Sequence, residues 1–377
     1  VNNIQAWLER LTAASGEFNR AKVGKLAFLG NVFLDVRPEI ARNGQTIRIP
    51  FPDTGAWTDM AGNDWVPAPT SPLYVDVPFG QRPGNALLFA DFEQMQTATD
   101  LIDQFLDPMF KRGLEYANGQ IAGLITAANF PTYPALQSTK LGSIDIDTAA
   151  NAWNVLVANK VPIQDPDQAA LIVHPDVHRN MLTDSQWYQE SLVGAMIAQG
   201  TRTRAAEESP GRTSFNFNRF WDQQVTTSLT ANLTGTVAIN NGSTAVTGTS
   251  TTFTTQATVG TWITVDGGAT YYRVGAVASD TALTLTQNFA AANVSGVTYQ
   301  RRTYSCVVFH RYAIALAVRP LEIVNDGHIH SRLLMLQGLP FRVVVSWNHV
   351  QSGWMLTMDY AMVAKPIRPD FGVVVQA

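Results

Sequence analysis

The chain has 377 residues, enough for two or three domains of about 100 to 200 residues and for a substantial core without metals or disulfides. Hydrophobic residues make up 46% and charged residues only 15%, against about 25% charged in ordinary soluble domains, so partner subunits are expected to cover part of the surface. The 30 acidic and 26 basic side chains leave a net charge of −4, which excludes a global positive field for nucleic acid, and the single cysteine excludes an intramolecular disulfide.

No window approaches the roughly 18 uncharged apolar residues of a membrane span, and the N-terminus lacks a positive region followed by an apolar run, so a non-membrane chain without a secretory signal is expected. In residues 2–13, Ile4, Leu8 and Leu11 recur at helical spacing beside Trp7, behind Asn2 or Asn3 as a cap, which predicts a short amphipathic helix. Residues 26–36 are apolar but interrupted by Gly30 and Asn31. A strand follows in GQTIRIPFPDTG, with Ile47 and Ile49 on one face.

Residues 53–72 carry three Pro, two Gly, three Asp and two Trp without a period. A structureless stretch of about twenty residues is rare inside a compact domain. The expectation is an arm lying on a neighbouring subunit, because Trp57 and Trp65 would be costly to leave in water. A mobile surface loop is the alternative.

Residues 92–127 hold the clearest helical stripe, including Leu101, Phe105, Met109, Phe110, Leu114, Ala117, Ile121 and Ile125. Pro108 either kinks the helix or opens a new one capped by Asp107, and both options keep Met109 to Ile125 helical. Gly113, Gly119 and Gly123 each weaken a helix by about 1 kcal/mol relative to Ala, which predicts close backbone approach along their face. Pro131 and Pro134 end the element. Asp147 is expected to cap a further helix through about Asn159 that buries Ala150, Trp153, Leu156 and Val157. ALIVHPD reads as a strand ending in a Pro turn, and residues 177–200 as at least one more helix. Strand alternating with helix indicates an α+β or α/β unit. Residues 201–214, with Arg202, Arg204, Glu207, Glu208 and Arg212, read as an exposed loop.

The composition breaks at residue 228. From there to residue 300 the chain has 18 Thr in 73 positions and three charged side chains, Asp266, Arg273 and Asp280. TVAIN, TAVT, TWITV, TYYRVGAV and TALTLT are short strands separated by turn signals such as Asn241–Gly242 and Asp266–Gly267, the pattern of a small all-β barrel or sandwich. An inserted domain is therefore expected, its host resuming at YSCVVFHRYAIALAV, where Tyr304, Cys306 and Val308 alternate and Cys306 points inward. Residues 341–375 supply an antiparallel pair about the QSG turn and a short terminal strand.

The sequence has no phosphate-binding loop, dinucleotide fingerprint, nucleophile elbow or HExxH motif. His174 and His178 are separated by Pro175, and His328 and His330 lack a third ligand, so neither pair reads as a metal site. No cofactor, catalytic residue or metal ligand is assigned.

The segment around Pro108 and Leu114, LIVHPDVHRNML at 171–182, VVFHRYAIALAVRP at 307–320 and the run from Val343 to Val375, in this order, give the chain its family likeness. It resembles major capsid proteins of tailed bacteriophages with the Hong Kong 97-type fold, especially podovirus coat proteins with an inserted β-domain. The resemblance implies an N-terminal arm at 1–45, an extended hairpin loop at 46–86, a peripheral domain with a long spine helix at 87–140 and 343–377, an axial domain at 141–227 and 301–342, and the insertion at 228–300. It also implies a shell of hexamers and pentamers enclosing double-stranded DNA without sequence-specific binding, assembled in the host cytoplasm around a scaffolding protein, with a portal and room for a decoration protein. Trp7, Trp57 and Trp65 become the proposed intersubunit contacts. Some family members crosslink a loop Lys to a neighbour's Asn, but here no Lys lies between Lys25 and Lys111. An adhesive, carbohydrate-binding β-module is the reading from a different class, and it requires an aromatic platform within 228–300.

Overall fold

The computed structural model describes residues 26–36, 46–51, 73–78, 80–90, 107–130, 136–138, 141–163, 168–183, 187, 217–326, 329–350 and 353–377. In chain order the elements begin with α1 (Ala27–Asn31), β1 (Phe33–Val36), β2 (Thr46–Phe51), β3 (Leu73–Pro78), β4 (Gly84–Ala90), α2 (Asp107–Gly123), β5 (Leu136–Gln137), α3 (Ile146–Ala158), β6 (Ala169–Val173), α4 (Pro175–Thr183), β7 (Asn218–Trp221) and β8 (Thr227–Leu229). They continue with β9 (Thr236–Ile239), β10 (Ala245–Thr249), α5 (Phe253–Gln256), β11 (Trp262–Thr264), β12 (Tyr272–Ser279), β13 (Ala282–Leu285), β14 (Val294–Val297), β15 (Gln300–His310), β16 (Ile314–Arg319), β17 (Ile329–Leu336), β18 (Leu339–Asn348), β19 (Gly353–Asp359), β20 (Ala361–Pro366) and β21 (Gly372–Gln376). The described residues fall into two compact units, one from Phe33–Ala117 with Ile314–Ile367, the other from Lys25–Val32, Asn118–Ala313 and Arg368–Ala377.

The first unit holds a four-stranded antiparallel sheet in the order β17-β18-β19-β4. Alternation along β18 buries Phe341, Val343 and Val345 on one face. The N-terminal part of α2 covers Phe341, and Phe110 meets it edge-on at 5.7 Å. A second sheet, β1-β16-β20, has β1 parallel to β16. The hairpin β2–β3 packs on it: Ile47, Ile49 and Val77 share a cluster with Ala315, Ala317, Ala361 and Ile367, so the two isoleucines do lie on one buried face. The opposite face of the hairpin carries an exposed Arg48–Asp76 pair at 3.0 Å.

Pro108 stands at the second position of α2, where a missing N–H costs nothing. The helix ends at Gly123, two residues earlier than the periodicity suggested, with Leu124 and Ile125 donating to Ile121 and Ala122 in a tightened last turn. What precedes Asp107 lies outside the described residues.

In the second unit the strands run β14-β9-β10-β13-β12-β11-β15-β21-β5, with β6 pairing β15 on one side and β7 on the other. All five residues of β6 are buried, as expected of a central strand covered on both faces. The cap of α3 is Asp145, whose Oδ1 accepts the Thr148 N–H at 3.0 Å; Asp147 instead sits in the first turn. This changes the buried stripe to Thr148, Ala149, Ala152 and Leu156, leaving Trp153 and Val157 exposed. Small residues thus face inward and let α3 lie close to its sheet. Ala150, expected to be buried, is half-buried.

Between residues 236 and 299 a separate apolar cluster forms around Val237, Ile239, Val246, Phe253, Tyr272, Leu285, Phe289 and Tyr299. The five strands expected here are all present, and β14 and α5 are additional. Gly242 at φ +75° and Gly267 at φ +71° occupy the left-handed turn positions that their Asn-Gly and Asp-Gly pairs indicated. Strand β15 is continuous across the composition break. Gln300 and Arg301 pair with β11, Arg302–Tyr304 with β8, and the remainder lies between β21 and β6. Cys306 is buried as the alternation requires, but Val307 and Phe309 are buried too, because both faces are covered.

Candidate assembly surfaces

Among the described residues no group of three or more His, Cys, Asp and Glu could hold a metal ion, and no helix is long and apolar enough to cross a membrane. The polar clusters that do form join elements together. In the second unit, Asp176 Oδ2 accepts from the Tyr304 hydroxyl at 2.8 Å, and His174 Nδ1 accepts the Asp176 N–H at 3.2 Å, so the imidazole acts as a cap for α4. The His174 and Tyr304 rings stand 4.6 Å apart. Burial lowers the His174 pKa despite the neighbouring Asp176 carboxylate, and the same burial, with that carboxylate, raises the Tyr304 hydroxyl. Burial pushes the Cys306 thiol up to about 12, which removes it as a nucleophile. Together these contacts tie β15 to the start of α4.

Nearby, Asn118 donates to Asp222 Oδ2 at 2.8 Å and to Gln224 Oε1 at 2.7 Å, while its Oδ1 accepts the Leu29 N–H at 3.0 Å. Asp222 also accepts the Ala27 N–H at 3.2 Å. Two of the orphan donors at the start of α1 are thereby satisfied by buried side chains. Asn180 ties α4 to the β-rich segment, donating to the Gly142 carbonyl at 2.7 Å and accepting from Arg273 Nη2 at 3.1 Å.

In the first unit Asp359 is gripped by two arginines. Arg342 Nε and Nη2 take both its oxygens at 2.9 and 2.7 Å, and Arg82 adds Nε to Oδ2 at 2.8 Å. Burial would raise this carboxyl, but hydrogen bonds from Arg342 and Arg82 outweigh it and hold the group below the usual carboxylate range. Arg319, with 1% of its side chain exposed, donates to the Asp35 carboxylate at 3.1 Å and to the Asp35 and Val318 carbonyls. Sequence reasoning missed both clusters. Their partners lie more than 270 positions apart for Arg82–Asp359 and Asp35–Arg319, and no local pattern marks them.

Trp7, Trp57 and Trp65 lie outside the described residues, as do residues 92–106 and 201–214 and His328. Of the aromatic side chains in 228–300, Phe253, Tyr272, Phe289 and Tyr299 are buried in the apolar cluster, which leaves Trp262 and Tyr271 partly exposed and no broad aromatic platform.

No protein-family model matches the sequence, and no curated protein matches it. Among solved structures, the capsid of Ralstonia phage GP4 is similar at 9% identity and a TM-score of 0.50, covering 95% of this chain and 92% of that one. The mature capsid of bacteriophage PhiM1 aligns at 11% identity and a TM-score of 0.46 over 94% of this chain and 88% of that one. The capsid of cyanophage P-SCSP1u aligns at 11% identity and a TM-score of 0.44 over 91% and 86%. At these identities the likeness is one of fold: the chain has a mixed α+β architecture resembling that of the GP4 capsid chain.

Proposed function

We propose that this chain is a major capsid protein of a tailed phage, with a Hong Kong 97-type fold. It self-assembles into the hexamers and pentamers of an icosahedral head that encloses double-stranded DNA. The observation that carries this reading is the GP4 likeness, which extends over nearly the whole of both chains. The low proportion of charged residues also supports it. In this reading the arm is 1–45, the extended loop 46–86, the peripheral domain 87–140 with 343–377, the axial domain 141–227 with 301–342, and the insertion 228–300. Trp7, Trp57 and Trp65 contact neighbouring subunits, a scaffolding protein and a portal direct assembly in the host cytoplasm, and a decoration protein is accommodated outside.

Sedimentation and negative-stain microscopy of the purified protein, with and without scaffold, test this: rings or closed shells are expected. A well-folded monomer under all conditions of salt, scaffold and concentration overturns it. Because residues 26–110 contain no Lys, particles boiled in SDS should release a band near 41 kDa. A ladder of multiples surviving reductant would mean a covalent link of another kind.

A further inference from the structure

Among the described residues, strand β4 is an edge without the charges, prolines, bulges or covering segments that normally protect one. It pairs with β19 over seven consecutive residues with no register shift, and among the described residues it has no partner on its other side. Its sequence, GNALLFA, has no charge and no proline. Unpaired strand edges are templates for another chain, and monomeric proteins blunt them with charges, prolines, bulges or covering segments.

Among the described strands, several other edges are blunted in those ways, in whole or in part. Strand β14 pairs with β9 through a register shift and places Gly296 at φ +66°. The hairpin β2–β3 carries Arg48, Pro50, Asp76 and Pro78. The first half of β17 is covered by the Asp326–Ile329 bridge and by Asn325 Oδ1, which accepts the Ser331 N–H, and Arg332 places a charge in mid-strand. Strand β20 is flanked by the Gln81–Met362 bridge. Strand β1 has four residues and contains Asp35, held by Arg319.

The direction of the free groups on β4 follows from the ladder. The Tyr360 and Met362 N–H groups donate to the Pro83 and Gln81 carbonyls, so the odd-numbered residues of this register face β19. Gly84, Ala86, Leu88 and Ala90 therefore turn their main-chain groups outward. The Ala86 N–H is already taken by Asn85 Oδ1 at 2.8 Å, which leaves the N–H and C=O of Leu88 at the centre of the open edge. Leu88 is 39% exposed.

We propose that β4 is a site of strand addition, where an extended segment of a second copy of this chain forms a main-chain ladder centred on Leu88. The inference rests on the capsid reading for the identity of the partner; the hydrogen-bonding geometry defines its conformation. A strand edge recognises backbone, so the partner segment is extended and its neighbouring side chains need only be small or apolar.

Hydrogen exchange read by mass spectrometry on the full chain, before and after assembly, tests it. The peptide spanning 84–90 should exchange at least about tenfold more slowly in assembled particles. Two variants separate backbone from side chain. Leu88→Pro removes the outward N–H but no β19 hydrogen bond, whereas Leu88→Ala removes only the side chain. Leu88→Pro should raise the concentration needed for assembly about tenfold, and Leu88→Ala should change it much less. Particles that form while residues 84–90 stay as exchangeable as in the free chain overturn the strand-addition proposal and leave the capsid reading intact. Failure of the wild-type chain to assemble at all overturns both. Equal effects of the two variants would show that side-chain contact, not a ladder, occupies this edge. The exchange measurement on the wild type decides the matter if Leu88→Pro does not fold.

Discussion

Three glycines on one helix should respond with opposite signs when replaced by alanine. In helix α2 each Gly→Ala change gains about 1 kcal/mol of helix propensity, so the surroundings decide the outcome. At Gly113 a new Cβ would stand 2.8 Å from Phe341 Cε1 and 3.3 Å from Cζ. That ring has nowhere to go. It is fully buried, meets Phe110 edge-on at 5.7 Å and Tyr360 at 4.7 Å, and Tyr360 is itself anchored by its hydroxyl to the Gly113 carbonyl at 2.7 Å. Overpacking of this kind costs about 1 to 3 kcal/mol and here also strains the Tyr360 hydrogen bond, so Gly113→Ala should destabilise by about 1 to 2 kcal/mol net. At Gly119 the nearest atoms are those of the Gln224 amide at 3.6 Å, an ordinary contact, and at Gly123 nothing lies within 4 Å. Gly119→Ala should gain about 0.5 to 1 kcal/mol, and Gly123→Ala less, because it closes the helix. Urea denaturation of the unassembled chain at one fixed protein concentration, followed by tryptophan fluorescence and far-UV circular dichroism, measures the shifts. A Gly113→Ala protein as stable as the wild type, or all three variants shifting in one direction, would refute the assignment of Gly113 to close packing.

The double-arginine grip on Asp359 predicts an asymmetry: Arg342→Ala should cost about 2 to 3 kcal/mol, since Asp359 and Arg342 side chains are only 10% and 13% exposed. Arg82→Ala should cost no more than about 0.5 kcal/mol, because that side chain is 62% exposed; equal urea shifts for the two would contradict this. His174 has a folded-state pKa below its unfolded value near 6.5, so it favours folding fully above that value. As pH falls through 6.5 toward the folded value the unfolded chain gains a proton first and stability is lost. His174→Gln should flatten the fall in urea midpoint between pH 7.5 and 5, with His178, also lowered by burial, retaining part of it; an unchanged slope would exclude His174 as a contributor.

What could be read from the sequence was what depends on neighbours in the chain. Alternation placed Ile47 and Ile49 on one buried face, the Asn-Gly and Asp-Gly pairs located turns, and the three-and-four spacing found the core of α2. Of the three helix glycines, only Gly113 has a close neighbour, and it is the Phe341 ring rather than the backbone that was expected, because a missing side chain says that contact is permitted, not that it occurs or what makes it. The cap of α3 was misplaced by two residues since Asp145 and Asp147 are chemically equal, and only packing selects which one turns its oxygen toward Thr148. The Asp359 and Arg319 clusters left no trace at all. An arginine reads as surface by default, and its burial depends on a carboxylate delivered by sheet topology.

That topology also fixes how the threonine-rich segment is attached, and hence how it can be removed. Strand β15 serves both sides of the composition break: Gln300 and Arg301 pair with β11, whereas Arg302–Tyr304 pair with Thr227–Leu229. At the crossing, the Thr230 N–H donates to the Arg301 carbonyl and the Arg301 N–H to Thr230 Oγ1, each at 2.9 Å, so the chain leaves and returns at adjacent points. A deletion that joins Thr230 to Arg301 through a short Gly/Ser turn keeps β8 on its ladder, and should leave the rest of the chain within about 1 kcal/mol of its stability. Joining residues 227 and 301 instead removes Ser228 and Leu229, together with the Ser228–Thr303 hydroxyl contact at 2.8 Å, and should cost about 2 kcal/mol more at roughly 1 kcal/mol per lost bond. The complementary fragment must extend through Arg301 to keep β11 paired, and its apolar cluster is near the lower limit for independent folding at about 70 residues. A dispersed β-type NMR spectrum is expected for it, and a random-coil spectrum would mean that the host strand is required. Equal stability of the two deletions would show that the β8 ladder adds nothing. If the Thr230–Arg301 deletion assembles into particles of normal size and strength, the segment folds at the surface without a part in lateral contacts, because a contact between copies that contributes to the shell cannot be removed without changing the concentration at which the shell forms.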